Sequence, residues 1–213
     1  IGFQPKAILF FATYQTAEGS AVNWNQCVGM ATAASQAAIA SQTLDNVNPF
    51  NSDRGQNNAL SIYLMDSSAA NLIIASLVSL DADGFTLNFT TVQASAYNLY
   101  ALCLGGSDLT GVFLKEFQAP AAVGTGSVTG VGFRPDCLIM MSMGTATSNT
   151  TGTFQIPTFG FATRDSQRAI GIRNEDGTTI ARIVHGSLLS VGPLGAATYN
   201  WRGWLQSFDA DGF

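Results

Sequence analysis

A seven-residue stretch that occurs twice constrains the fold of this chain more than any other feature of its sequence. It reads Ser-Leu-Asp-Ala-Asp-Gly-Phe at residues 79–85 and Ser-Phe-Asp-Ala-Asp-Gly-Phe at residues 207–213. In the first occurrence an apolar run, residues 72–80, precedes the Asp-Gly pair, and an alternation of apolar and polar residues, 85–90, follows it. Asp-Gly between two such runs is a strong signal for a β-hairpin. The sequence therefore predicts a hairpin tip at each occurrence, and at residues 207–213 a tip whose returning strand is missing.

Two further blocks recur in the same order at almost the same spacing. Residues 2–11 return as residues 132–141, and residues 29–39 return as residues 160–170. These offsets are 130 and 131 residues, against 128 for the seven-residue stretch. Three blocks at a nearly constant offset indicate an internal duplication of about 130 residues. We expect two β repeats, the first half at residues 1–122 and the second half at residues 123–213, with the second half incomplete at its C-terminal end.

The duplication also separates strand from helix in an ambiguous stretch. Residues 30–41 are Ala-rich and alone would favour a helix, but their counterparts at 159–172 alternate around a polar turn. One fold must serve both copies, so both stretches predict strand, turn, strand. Further strands are predicted at residues 7–12, 59–65, 72–80, 85–91, 96–104, 112–118, 168–173, 178–184 and 201–208, with loops at 46–58 and 186–200. The expected fold class is all-β, as two tandem β-sandwich or jelly-roll-like units.

Composition narrows the class of partner. Only 11% of the residues are charged, against roughly a quarter in a typical soluble domain, and such a neutral surface suits a protein packed among neighbours. The net charge of −5 argues against nucleic-acid binding, which needs clustered cations. No apolar run approaches the roughly 20 residues of a membrane span. Cys27, Cys103 and Cys137 lack metal-site spacing and are expected to be buried free thiols.

Candidate ligand-binding residues are few. The pairs Trp24-Asn25 and Tyr199-Asn200 place an aromatic ring beside an amide, as sugar-binding sites do, and they are the candidate ligand residues. Asp81 with Asp83, and Asp209 with Asp211, provide the paired carboxylates that begin some calcium loops. Neither pair continues as an EF-hand, and turn chemistry explains both, so no metal or other cofactor is expected.

Catalytic chemistry would have to pass through His185, the only histidine. No Gly-x-Ser-x-Gly elbow occurs, and the first half has no matching histidine. The Gly-rich residues 124–130 lack the spacing and the following helix of a phosphate-binding loop, so they are interpreted as a linker. No catalytic residue is therefore assigned.

Five segments of the sequence together resemble a repeat found in structural proteins of tailed phages. They are Gly-Phe-Gln/Arg-Pro before an apolar strand, Phe/Leu-Asp-Ala-Asp-Gly-Phe, and an aromatic-rich strand ending Ala-Leu-Cys-Leu-Gly-Gly, found at residues 2–11, 80–88, 100–106, 132–141 and 208–213. The resemblance implies a β-rich virion component, such as a tail, fibre or capsid-decorating protein, located in the virion or outside the cell. It carries over no active-site residues.

Three functions remain open at this point. The first is a non-enzymatic structural or assembly protein whose partners are further copies of itself or other virion proteins. The second is a carbohydrate- or receptor-binding module, with a cell-surface glycan as its ligand. The third is a hydrolase centred on His185, which requires a carboxylate and a hydroxyl within hydrogen-bond reach of the imidazole.

Overall fold

The computed structural model describes residues 1–20, 22–45, 51–66, 70–144, 149–175, 179–195 and 198–213. Within these ranges the regular structure is β-strand without helix, and every strand pair is antiparallel. The expected all-β class is confirmed, and the arrangement of sheets is consistent with a β-sandwich. No helix among the described residues is long and apolar enough to cross a bilayer.

The described residues of the first half form eight strands. They are β1 (Pro5–Thr13), β2 (Trp24–Thr32), β3 (Gln36–Thr43), β4 (Ser52–Asn57), β5 (Ile62–Met65), β6 (Asn71–Asp81), β7 (Gly84–Thr91) and β8 (Leu99–Gly105).

Eight strands, several of them short, also lie in the part of the second half that the structure describes. They are β9 (Cys137–Ser142), β10 (Thr150–Gly152), β11 (Phe154–Gln155), β12 (Thr158–Thr163), β13 (Gln167–Glu175), β14 (Thr179–His185), β15 (Ser190–Gly195) and β16 (Thr198–Gly203).

Two sheets enclose the main core in the first half. The larger runs in the order β10-β4-β3-β2-β1-β8 and the smaller in the order β5-β6-β7. Alternate side chains of both sheets meet in a cluster that includes Ile8, Phe10, Ile62 and Leu64, all almost fully buried. The alternation predicted for these strands is thus realised as one buried and one outward face.

The second half pairs its strands in a matching register. Its sheets run β11-β13-β12-β9, with β14 on β13, and β15-β16. Three first-half strand pairings recur in the second half. Phe10 opposite Gly29 corresponds to Met140 opposite Gly160, Gly29 opposite Ala38 to Gly160 opposite Ala169, and Ile62 opposite Ala75 to Ser190 opposite Gly203.

Both halves also bring their two sheets together at a glycine. A Cβ at Gly29 would lie 1.8 Å from the carbonyl oxygen of Ser61, and a Cβ at Gly160 would lie 1.7 Å from that of Leu189. Only glycine allows so close an approach of one sheet to the backbone of the other. Gly29 and Gly160 allow the same close approach of the two sheets, which explains why the matched blocks at 29–39 and 160–170 both begin with glycine.

The halves are joined by a strand pairing, by apolar contacts and by hydrogen bonds. β10 extends the first-half sheet by pairing with β4. Val28 and Ile39, on the outward face of β2 and β3, pack with Met143 and with the partly buried Met141 and Phe159 of the second half. We define the outer face of each half as this side of its larger sheet.

Several expectations about the strands are confirmed. Residues 30–41 form strand, turn, strand, because Thr32 and Ser35 close a tight turn between β2 and β3. Asp81 pairs with Gly84 across the tip that joins β6 to β7. The second tip instead pairs with residues of its own half, since Phe213 and Val128 exchange backbone hydrogen bonds. The segment between the strands predicted at 168–173 and 178–184 lies partly outside the described residues.

Other expectations were wrong where polar residues or glycines form strands. The loop predicted at 46–58 contains β4, whose Asp53 is buried because its carboxylate accepts a hydrogen bond from Gln42 at 2.5 Å. The loop predicted at 186–200 contains β15, where the missing side chain of Gly192 makes room for the Trp201 indole. Tertiary contacts override strand propensity in both cases.

The opposite error occurred where an alternating pattern found no partner strand. Residues 112–118 form no strand, and the strand predicted at 201–208 ends at Gly203. The cysteine expectation holds only in part: all three thiols are free, but Cys27 alone is buried, Cys103 is partly buried and Cys137 is exposed. Cys137 begins β9, at the edge of its sheet, which explains its exposure.

Candidate functional site

Trp24 and Asn25 begin β2, and their side chains differ in exposure to solvent. The Trp24 ring is 49% exposed, while its indole N–H donates to Ser41 Oγ at 3.1 Å. Asn25 is partly buried, and its amide donates to the carbonyl oxygen of Met65 at 2.9 Å. The ring therefore offers a surface for stacking, but the neighbouring amide is already engaged within the protein.

The second candidate pair lies in β16. Tyr199 is paired with Pro193 across the two-stranded sheet of β15 and β16, and Asn200 is the next residue of the strand. The side chains of both residues lie outside the described part of the structure. Their strand is far along the chain from Trp24, and the two pairs stay separate predictions.

His185 ends β14 and is held by a local contact. Its Nδ1 accepts a hydrogen bond from the backbone N–H of Ser187 at 3.2 Å and lies 3.3 Å from Ser187 Oγ. A nitrogen that accepts a backbone N–H has its lone pair engaged, so it is poorly placed to remove the hydroxyl proton beside it. The contact is a local one, between His185 and the residue two positions further along the chain.

The paired carboxylates accept hydrogen bonds from other groups of the protein. Asp81 accepts hydrogen bonds from Ser79 and Thr86, at 2.7 and 2.8 Å, and these lower its pKa. Asp83 accepts from the Gly2 backbone N–H and from the N-terminal amine, which lower its pKa. In the second half Asp211 accepts from the backbone N–H groups of Gly132 and Gly130, at 2.6 and 3.0 Å, with the same effect.

These contacts explain the Asp residues as structural anchors. Asp83 and Asp211 each tie a hairpin tip to the chain that leads into the first strand of the same half. Hydrogen bonds to the ionised form favour that form, which is the direction of both shifts. Within the described ranges, no group of three or more His, Cys, Asp or Glu side chains is placed to hold a metal ion.

An arginine-lined cleft of about 440 Å³ lies at one end of the second half. Arg134, Arg164 and Arg168 line it, together with hydroxyl-bearing residues that include Ser166 and Ser187. Arg168 donates to the carbonyl oxygens of Gln167 and Gly186, at 2.7 and 2.6 Å, and so braces one wall. The side chains of Arg134 and Arg164 are exposed. Guanidinium groups in this arrangement are suited to carboxylate or phosphate groups.

Sequence reasoning missed this cleft, although a signal was present. The chain has only nine cationic side chains, and three of them line this one site. At the matching positions the first half has Gln4, Ala33 and Ala37. A difference in charge between the matched sequence blocks of the two halves therefore marked the site, but the distance of Arg134 from the other two arginines along the chain concealed it.

A second surface is the exposed outer face of the second half. Phe161 and Val184 are 50% and 81% exposed, and Ile139, Ile170 and Ile172 are exposed as well. Phe161 lies opposite Ile139, and Ile170 lies opposite Val184, so these side chains project from one side of the sheet. The same side carries Met141 and Phe159, which contact the first half. The apolar surface is therefore continuous with the contact between the halves.

The second half is also open along one side. β9 and β16 each have one partner strand among the described residues, whereas the matching β1 and β6 each have two. Comparisons with protein-family models, curated proteins and solved structures find no match. The candidate site is thus defined by geometry, as the exposed outer face, the open side and the arginine-lined cleft of the second half.

Proposed function

We propose that this chain is a non-enzymatic structural or assembly protein that associates with further copies of itself. We place it among virion components of the tail, fibre or capsid-decorating type, in the virion or outside the cell. The repeat-like pieces at residues 2–11 and 132–141 are the basis for the phage context. The exposed outer face of the second half is the single observation that carries the assembly role.

The tandem repeat is the first part of this proposal. Support comes from the strand registers, in which three pairings recur between the halves at offsets of 128 to 131 residues. Support also comes from the glycines at 29 and 160, which face the backbone of Ser61 and Leu189, residues 128 apart. Independent evolution of the same register and the same close approach is improbable, so duplication of one unit is the simpler origin.

Self-association is the second part. A row of large apolar side chains across neighbouring strands is costly to leave in water and is typical of an interaction surface. Part of the same face already packs against the outer face of the first half, through Phe159 and Met141. The first half also leaves Phe11, Tyr100 and Leu102 exposed on its outer face. We therefore expect the outer face of the second half in one copy to contact the outer face of the first half in another.

Sedimentation velocity over a range of concentrations tests the proposal. We expect the wild-type chain to form oligomers and the double variant Phe161→Ser with Val184→Thr to remain monomeric. Both side chains are exposed, so their replacement is expected to leave the fold intact. Val78→Thr is the matched control, because Val78 is 62% exposed but lies on the smaller sheet of the first half. A wild-type chain that stays monomeric would refute self-association.

Carbohydrate binding is the second candidate, and the exposed ring of Trp24 is the observation that favours it. Neither the arginine-lined cleft nor the narrow gap between the halves includes this residue. We expect a glycan array to give signals that a Trp24→Ala variant loses if this role is real. An array without hits would leave the assembly role as the better account.

A further inference from the structure

Among the described residues, four strands form the edges of the two sheets that enclose the core of the first half. They are β10 and β8 in the larger sheet, and β5 and β7 in the smaller sheet. β10 has three residues and β5 has four, and the register of β7 on β6 shifts twice. Short strands and bulges are common ways in which proteins prevent a sheet edge from pairing with another chain. Three of the four edges are therefore protected in this way.

β8 is the edge that lacks this protection. It spans seven residues, Leu99–Gly105, and none of them is charged or a proline. Its register on β1 is continuous from Ala7 to Ala12 and shifts only between Pro5 and Ala7. The segments before and after it in the sequence, β7 and residues 106–118, are described, and neither pairs with it. The backbone N–H and C=O groups along its outer side are therefore a template for an added strand.

The hydrophobic outer face of the first half reaches this edge without interruption. Four large side chains form one row across β3, β2, β1 and β8, namely Ile39, Val28, Phe11 and Tyr100. The second half packs on Val28 and Ile39, whereas Tyr100 at the edge is 60% exposed. Leu102, two positions further along β8, is 53% exposed. A strand that paired with β8 and carried hydrophobic side chains at alternate positions would continue this row.

We propose that β8 pairs in antiparallel fashion with β8 of a second copy of this chain. The strand complements itself, because all seven residues are paired when Leu102 lies opposite Leu102 of the second copy. On the outer side Tyr100 then lies opposite Leu104, and on the other side Ala101 lies opposite Cys103. Such a two-fold contact uses the same strand in both copies and closes after two copies. A second copy thus supplies the uncharged, alternating strand that the edge accepts.

This inference deepens the proposed assembly role and rests on it. Seven residues a side are fewer than the roughly 20 of a stable protein interface, so we expect the pairing only between copies that outer-face contacts already hold together. β10 provides a precedent within one chain, because its pairing with β4 lies beside an apolar contact between the outer faces of the halves. β8 and the exposed outer face beside it offer the same combination at the opposite edge of the same sheet.

Disulfide formation across the two-fold axis tests the pairing. The protein carries Cys103→Ser and Cys137→Ser, and Cys27 is fully buried, so an added cysteine is the accessible thiol. In this background we expect Leu102→Cys to give about tenfold more disulfide-linked dimer than Phe11→Cys, because a disulfide needs Cα atoms within about 7 Å of each other. Phe11 is the matched control, since it is 41% exposed on the same outer face but lies one strand in from the edge.

Ala101→Cys reports the register. In a protein that keeps Cys103 and carries Cys137→Ser, it should form a disulfide with Cys103 of the second copy, because these positions face each other when Leu102 lies on the axis. Replacing Cys103 by serine as well should remove this crosslink. Peptide mapping of the dimer identifies the linked residues. A link between the two copies of the cysteine introduced at position 101 would overturn the predicted register.

Two outcomes overturn the pairing while the proposed function stands. One is equal crosslinking of Leu102→Cys and Phe11→Cys in oligomers that sediment as the wild type does, because chance collisions would then explain both. The other is an oligomer that gives no disulfide at Leu102→Cys. Failure of the proposed function is a different result, a wild-type chain that stays monomeric in sedimentation velocity, and it would overturn the pairing as well.

Discussion

The two halves of this molecule share a strand register but differ in closure. In the first half, β7 and β8 cover the core, and Ile8 and Phe10 are buried. In the second half, the residues at the same positions, Leu138 and Met140, remain partly exposed. Pairing between neighbouring strands is therefore insufficient to make a closed core. Burial depends on whether the last two strands are in place.

The largest expected difference between the halves is the cost of removing matched core side chains. Ile8→Ala should lower the free energy of unfolding by about 3 kcal/mol, because it leaves a cavity among fully buried neighbours. Leu138→Ala should cost about 1 kcal/mol, because part of its surface is already in water. Urea unfolding followed by circular dichroism measures both.

Tryptophan fluorescence adds a control that separates the halves. Trp24→Phe leaves Trp201 and Trp204, which both lie in the second half. In that background the fluorescence transition should move more with Leu138→Ala than with Ile8→Ala if the halves unfold independently. Equal costs for the two alanine variants by circular dichroism would contradict the contrast between a closed and an open half.

A smaller difference is expected at the two glycines where the sheets approach. Gly29→Ala forces a Cβ against the Ser61 carbonyl oxygen and should cost about 2 kcal/mol. Gly160→Ala creates the same clash with the Leu189 carbonyl oxygen, but the two sheets of the open half can move apart more easily. We therefore expect it to lower the free energy of unfolding by about 1 kcal/mol. The midpoint of thermal unfolding is a suitable measurement.

Gly203→Ala is the matched control for the glycine pair. The nearest atom to its added Cβ would be the Ser190 Cβ at 4.0 Å, and Ala75 stands at the same place in the first half. We expect a change within about 0.5 kcal/mol. A cost at Gly203 as large as that at Gly160 would show that the backbone clash is not the cause.

The smallest expected effect concerns the anchored hairpin tip of the second half. Hydrogen bonds from the backbone N–H groups of Gly132 and Gly130 lower the pKa of Asp211. A lowered folded-state pKa stabilises the folded form fully above the unfolded value of about 3.9, and the contribution is lost as the pH falls through the lower folded value. We expect the urea midpoints of wild type and Asp211→Asn to differ at neutral pH and to converge below about pH 4.

Asp209→Asn provides the comparison for this titration, because its carboxylate accepts from Ser207 rather than from the glycine backbone. It removes the same charge without touching the contacts to Gly130 and Gly132. If Asp211→Asn and Asp209→Asn gave the same dependence on pH, the backbone contacts would not be responsible.

Much of the fold was predictable from local patterns. Asp83-Gly84 between two apolar runs predicted the β6–β7 tip, and the matched blocks at 29–39 and 160–170 predicted strand, turn, strand in both halves. β4 and β15 were missed because Asp53 and Gly192 are poor strand residues on their own. Contacts with Gln42 and with Trp201 make those positions suitable.

The candidate site was much less predictable. Trp24 and Asn25 were chosen for their chemistry, but hydrogen bonds to Ser41 and Met65 already engage them. The arginine-lined cleft gathers Arg134 with Arg164 and Arg168 through the folding of strands that are distant in sequence. No spacing rule along the chain describes such a group.

The sequence alone was enough to establish the alternation of apolar and polar residues, the turns and the repeated blocks, because these can be recognised from neighbouring positions along the chain. It also indicated an incomplete second half, through the tip at residues 207–213 without a returning strand. It did not establish which apolar residues face water, because that depends on whether a distant strand arrives. Ile8 and Leu138 illustrate the point: both are apolar residues on matching strands in the same register, and one is buried while the other is only partly buried. Burial is a property of the assembled sheets, and here it separates a closed half from an open one.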